Sequence, residues 1–237
     1  MKLWQDELLW RMQTASNEVI LFDVVLDEAQ KLGFDHCAYG LQLPLSVTAP
    51  KTVMLNSYST SWQKRYMEEN YLAIDPSVLH GSRSVMPLVW TDNLFREARN
   101  FWEDARAHDL RFGWAQSATN MQGIRGMLTL ARCAESLSET ELKKNAYRMV
   151  WLTQAVHQCM STLISAKMLP HAMIQLSSRE RDVLRWTADG KTAGEIATII
   201  NITERTVNFH ISNAMEKLNC INKTAATVKA ALIGLLY

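Results

Sequence analysis

The sequence predicts an α+β chain: an N-terminal α/β/α sandwich on a five-stranded antiparallel sheet, then an all-α unit of four short helices. Three observations carry this. Five strand candidates lie before residue 134, interleaved with helical patterns. A single long helical pattern follows, from Ser138 to about Ala166. Residues 176–236 then hold four helical patterns with clear punctuation. A length of 237 residues suits two domains, with expected bounds 1–166, a linker at 167–175, and 176–237.

In chain order, residues 3–32 read as two helices, the second with Phe22, Val25, Leu26, Ala29 and Leu32 on one face and Gly33 as its stop. Phe34–Leu41 and Lys51–Tyr58 are strands flanking a loop bounded by Pro44 and Pro50. Ser59 or Thr60 caps a helix that carries Trp62 and Tyr66 on one side. Asp75-Pro76 opens a short helix, Pro87–Trp90 is a third strand, and Thr91–Leu110 is helical in pieces. Phe112–Thr119 and Ile124–Cys133 complete the sheet through Gly123. The long helix begins at Ser138 and Glu141, which have capping-box spacing. Its stripe (Leu142, Met149, Val156, Met160 and neighbours) serves either its own domain or a dimer seam, since amphipathicity names no partner.

In the C-terminal stretch, Ser177 and Glu180 form another capping box, and Gly190 supplies a left-handed stop. Thr192 opens the second helix, Thr203 caps the third, and a fourth starts near Asn222. With Val207, Ile211, Ala214 and Leu218 buried, the third helix presents Arg205, Asn208, Phe209, Ser212, Asn213 and Glu216. Short polar side chains on such a face can reach base edges in a major groove. Thr206, His210, Lys217 and Lys223 lie where phosphates could be held. On spacing alone, a solvated helix in a small bundle is the competing account.

Composition narrows the classes. The chain is 48% hydrophobic, and seven of its eight Trp precede residue 170, enough to bury a core. Net charge is +1, so the chain as a whole pulls neither acidic nor basic partners. From residue 174 onward eight Lys/Arg face six Asp/Glu, weak for a DNA-binding unit acting alone, which argues for a dimer on a two-fold site. The four cysteines lie far apart without metal spacing and read as reduced packing residues of a cytoplasmic protein. The N-terminus carries charges within its apolar stretch, unlike a signal peptide, and no run approaches membrane-span length. No metal site is expected. The six His lack HxH or HExxH spacing and there is no GxSxG elbow, so the chain is not read as an enzyme. No acidic cluster follows the first strand, which excludes a phospho-receiver.

Tyr58, Trp62, Tyr66, Asp75 and Trp90 form the chemical constellation of the first domain. Buried phenol and indole groups need partners, and a carboxylate among them needs a donor. Asp75 either caps the helix that follows it or accepts from a ligand N–H.

The C-terminal stretch resembles the DNA-binding domain of LuxR-type regulators through Leu176, Arg179-Glu180, Leu184, Trp186, Gly190-Lys191-Thr192, Glu195-Ile196-Ala197, Thr206-Val207, Phe209-His210, Asn213, Lys217-Leu218, Asn222-Lys223 and Ala226. Trp62, Tyr66, Asp75-Pro76, Trp90 and Gly113 extend the resemblance to the autoinducer-binding domain of the same receptors. The resemblance implies a ligand-responsive quorum-sensing transcription factor. Its effector would be an N-acyl-L-homoserine lactone, without other cofactor. Trp90 would donate to the lactone carbonyl, Asp75 accept the amide N–H, and Tyr58 with Thr129 donate to the acyl carbonyl. Trp62 and Tyr66 would wall the headgroup, Phe101 and Ala105 would flank the ring, and the tail would run along Leu41, Val78 and Leu128. The family further implies a homodimer on double-stranded DNA, with RNA polymerase as a further partner and no membrane. The DNA set is Thr192, Thr203, Arg205, Thr206, Asn208, Phe209, His210, Ser212, Lys217 and Lys223. The alternative is the same fold sensing a different, non-lactone molecule.

Overall fold

The computed structural model describes residues 2–43, 51–121, 123–168 and 175–236. It divides into two compact units, one around a sheet and one of four C-terminal helices. The Pro44–Pro50 loop, Pro170 and most of the expected linker lie outside the described residues.

The first unit opens with α1 (Lys2–Gln13) and α2 (Glu18–Lys31). Asn17 caps α2 by accepting from the amides of Val19 and Ile20. Gly33, at φ 87°, ends it, and the Phe34 amide folds back onto the Ala29 carbonyl. That closure uses the first two residues of the expected strand, so β1 begins later, at His36, and runs to Leu43. β2 spans Lys51–Asn56. Ser59, not Thr60, caps α3 (Thr60–Glu68).

A 3-10 turn at Tyr71–Ala73 leads into α4 (Pro76–Gly81), and β3 is only Leu88–Val89. Pro87 has no amide to give a ladder, whereas the Trp90 amide still donates to Gly113 at 2.8 Å. Of the stretch 91–110, turns take the first part and α5 only Arg99–Ala107. β4 (Phe112–Thr119) and β5 (Arg125–Arg132) form the long central hairpin. The five-stranded antiparallel sheet has the order β2-β1-β5-β4-β3.

α6 (Glu139–Met168) crosses one face of the sheet and runs past the expected end at Ala166. Ser138 accepts from the Glu141 amide, while the Glu141 carboxylate takes both terminal nitrogens of Arg132 at 2.7 Å. At the centre of this face Tyr39 and His157 share a buried hydrogen bond of 2.9 Å. A second buried polar knot ties three helices: Glu28, 1% exposed, accepts from the Trp4 indole (2.8 Å) and Arg148 (2.7 Å). The opposite face of the sheet carries α4, where Gly81 closes on Met127.

The second unit comprises α7 (Ser178–Ala188), α8 (Ala193–Ile199), α9 (Glu204–Lys217) and α10 (Lys223–Leu232). Ser177, Thr192, Thr203 and Asn222 cap them, with full capping boxes at Ser177/Glu180 and Thr192/Glu195. Val183, Leu184, Ile196, Val207, Ala214, Leu218, Ala226 and Ala230 are among its buried apolar groups. Among the described residues, no helix is long and apolar enough to cross a membrane.

Gly126 sits where α6 meets the sheet: a Cβ there would lie 2.5 Å from both His157 Nδ1 and the Tyr39 hydroxyl. Gly126→Ala should cost about 2 kcal/mol through overpacking and lower the thermal midpoint by about 4–8 °C, read by circular dichroism. An unchanged midpoint would mean that α6 can stand off the sheet at no cost.

Candidate ligand cavity and nucleic-acid interface

Between the sheet and α3, α4 and α5 lies a cavity of about 390 Å³, within the range of small-molecule pockets. All eight residues expected to face a ligand border it: Tyr58, Trp62, Tyr66, Asp75, Trp90, Phe101, Ala105 and Thr129. Leu41 and Val78 border it too, but Leu128 does not. Successive strand residues point to opposite faces, so Thr129 and Met127 take the cavity side and Leu128 the other.

Local backbone rules explain how the polar groups arrive. Asp75 is the N-cap of α4: Oδ1 accepts the Ser77 amide at 2.8 Å, and Oδ2 accepts the Tyr66 hydroxyl at 3.1 Å. The capping reading of Asp75 holds, and the same side chain borders the cavity. Burial raises its carboxyl above the ordinary range, against the pull of the Ser77 amide and Tyr66 hydroxyl. Burial also raises the phenols of Tyr58 and Tyr66, with the Asp75 charge adding to the effect, so both stay protonated donors.

Trp90 is positioned by an absent side chain. A Cβ on Gly113 would come within 2.7 Å of three indole ring atoms, so only glycine leaves room for the ring against β4. The indole stands edge-on to Phe95 and Trp102, with centroids 5.9 and 6.0 Å away. Its Nε1–H is buried and has no hydrogen-bond partner. Such orphaned groups cost free energy unless something fills the space beside them. Trp62, Tyr66 and Phe101 form the aromatic wall, with mutual centroid distances of 5.7–6.1 Å.

Sequence reasoning missed several groups at the cavity: Ser77, Phe95, Trp102, and the methionines 54, 67 and 127. Ser77 follows Asp75 by two residues, and its place in the first turn of α4 was the available signal. The methionines carry no periodic signature. They are flexible apolar side chains that fill irregular gaps.

In the second unit α9 presents the expected polar face. Arg205, Asn208 and Ser212 are exposed, and Phe209 is 59% exposed, an unusual place for a large aromatic. His210 and Thr206 are half-buried, Lys223 is exposed at the start of α10, and Thr192 and Thr203 are spent as caps. The Thr206 hydroxyl pairs with that of Thr203 at 2.8 Å. Lys217 departs from expectation. Its ammonium donates to both Glu180 oxygens (2.9 and 2.7 Å) and the Gln175 carbonyl (3.3 Å), so it braces α7 rather than waiting for a phosphate. Burial opposes ionisation of Glu180, but Lys217 and the Ser177 amide outweigh it and hold the carboxyl below the usual glutamate range.

Residues 17–160 match the family described as autoinducer binding domain, and residues 174–230 match bacterial regulatory proteins, luxR family. The chain is 49% identical to the transcriptional activator protein AnoR of Acinetobacter nosocomialis, covering all of both chains. It is 38% identical to the HTH-type quorum-sensing regulator RhlR of Pseudomonas aeruginosa, over 99% of this chain and 97% of that one. The crystal structure of Escherichia coli SdiA matches with a TM-score of 0.87 at 33% identity, covering 100% and 99% of the two chains. A structure of SdiA in complex with octanoyl-rac-glycerol matches at 0.83, also with 33% identity, over 100% and 96%.

The Glu180–Lys217 pair makes an acid-sensitive contribution to the second unit. Because the folded carboxyl is depressed, the contribution is complete above the unfolded value of 4.5 and is lost as pH falls through the folded value. Glu180→Gln should therefore cost about 2 kcal/mol in urea unfolding at pH 7, and the gap to the parent should close in acid. A gap that persists at low pH would assign the loss to packing instead.

Proposed function

The chain belongs to the LuxR family of quorum-sensing transcriptional regulators, with an autoinducer-binding domain and a DNA-binding helix-turn-helix, and on that premise we propose that its effector is an N-acyl-L-homoserine lactone. The lactone occupies the cavity between the sheet and α3–α5. The observation that carries this reading is the pairing of the orphaned Trp90 indole N–H with the Asp75 carboxylate at one apolar cavity. A lactone carbonyl supplies the acceptor that Trp90 lacks, and a secondary amide supplies an N–H to Asp75. Tyr58, kept protonated, donates to the acyl carbonyl with Thr129 beside it. Trp62, Tyr66, Phe101 and Ala105 enclose the ring, and the tail gains about 0.8 kcal/mol for each CH₂ it buries.

Under this reading Arg205, Asn208, Phe209 and Ser212 face the major groove, Thr206, His210 and Lys223 hold backbone phosphates, and Thr192 and Thr203 act by capping the helices that present them. The small net charge of this domain supports a homodimer on a two-fold site, which doubles the contacts. The regulator then works in the cytoplasm, with RNA polymerase as a further partner. The proposed domain bounds are 1–166 and 176–237, joined by a linker.

A second reading, a non-lactone acyl effector, draws on the SdiA structure with octanoyl-rac-glycerol. An acylglycerol has carbonyl and hydroxyl groups but no amide N–H; because its hydroxyls can also donate to Asp75, the two readings are separated by comparing the ligands directly. Thermal unfolding of the full chain should show a midpoint rise of about 5–10 °C at a hundredfold excess over Kd. The rise should peak at one lactone chain length and shrink by half or more in Asp75→Asn. A larger rise with acylglycerols than with any lactone would favour the second reading, and no rise with any lactone would sink the first. For the DNA face, Asn208→Ala should weaken operator binding about 10- to 100-fold with little change on unrelated DNA. An equal loss on both would deny Asn208 a base contact.

A further inference from the structure

The cavity floor is made by paired residues of β1 and β5, and its chemistry changes along the strands. Ala38 faces Thr129, Gly40 faces Met127, and Gln42 faces Arg125, and all six border the cavity. Each step is two residues, so the three rungs lie on one face of the sheet. The first rung adjoins the polar end, because Trp90 is seated on Gly113, which pairs with Ala131 just beyond Thr129. The second rung is apolar. The third, about 14 Å from the first at the rise of an antiparallel strand, carries a guanidinium and a carboxamide.

Arg125 does more than border this far end. Its Nη1 donates to the carbonyl of Ser82, the C-cap of α4, at 3.3 Å. It thereby spans from the sheet to the helix that Asp75 caps at the other end. Gln42, Ser82 and Arg125 are exposed, so the apolar run gives way to solvent at this rung.

Resting on the acyl-lactone reading, we propose that Arg125 is a specificity-determining residue. Latched to Ser82, it ends the tail channel and sets the length of acyl chain that this receptor rewards. Methylenes between the first and third rungs are buried against Gly40 and Met127, and each raises affinity by roughly fourfold. A methylene beyond the third rung meets a hydrated cation or must break the Ser82 latch, so it adds nothing or subtracts. The preferred ligand is therefore an acyl chain that stops at Arg125. Its far end is an uncharged methyl, since a chain of that length has no further apolar wall to follow.

The test is a set of dissociation constants for the full chain and Arg125→Ala with straight-chain N-acyl-L-homoserine lactones in two-carbon steps. In the parent protein affinity should climb roughly fifteenfold per step and then break to a plateau or a fall. In R125A the short chains should bind as in the parent, the break should move out by at least one step, and the longest chain should gain about tenfold or more. Arg125→Gln, which keeps a polar group but is too short for the latch, should move the break the same way and serves if R125A does not fold. An unchanged break point in the variants, or an equal loss at every length, overturns the proposal while leaving the lactone reading intact. Binding of no lactone to the parent protein would remove that reading and the length rule with it.

Discussion

A buried carboxylate sets the terms for the first domain. Asp75 is 8% exposed at the edge of an apolar cavity, a place where an unpaired charge would be costly. Two local donors make it tolerable: the Ser77 amide, offered because Asp75 is the helix N-cap, and the Tyr66 hydroxyl. The carboxylate thus fixes the start of α4 and the tilt of a wall residue together. The same side chain borders the cavity. Because burial already raises this carboxyl, a donor from the ligand relieves a penalty built in by folding.

The aromatic shell obeys a related economy. Gly113 yields its side-chain space to the Trp90 ring, Phe95 stacks on Trp102 at 4.2 Å, and the Trp102 indole N–H is satisfied by Asp92 at 2.7 Å. Trp90, by contrast, is left with a buried N–H lacking a partner. The two indoles thus differ in whether the fold itself supplies an acceptor.

Much of this was legible because it is local. Caps at Thr203 and Asn222, one of the two offered at Ser59 and Thr60, and stops at Gly33 and Gly190 depend on a few adjacent residues, and they fall where those residues indicate. The eight candidate cavity residues were legible as a set through the family resemblance; spacing alone left Asp75 open between two roles. The failures are non-local. Glu28 reads as one more acid on an amphipathic helix, and nothing nearby announces Arg148, 120 positions later, as its partner. Lys217 looked available until Glu180, 37 positions earlier, was seen to hold it. Leu128 was set on the wrong face because β5 is buried on both sides, so its hydropathy does not alternate and its phase cannot be read.

The capture of Lys217 by Glu180 also bears on how the protein meets DNA in an ionic medium. Each cation that neutralises a phosphate releases counterions, which makes binding steeply dependent on salt. A recognition unit that spends a lysine inside its own fold brings less of that term to the duplex. Its hold on arbitrary sequence is weaker, and a larger share of its affinity rests on base edges, which salt does not erode. One lysine fewer on the phosphates lowers the steepness of that salt dependence by about one power of the salt concentration.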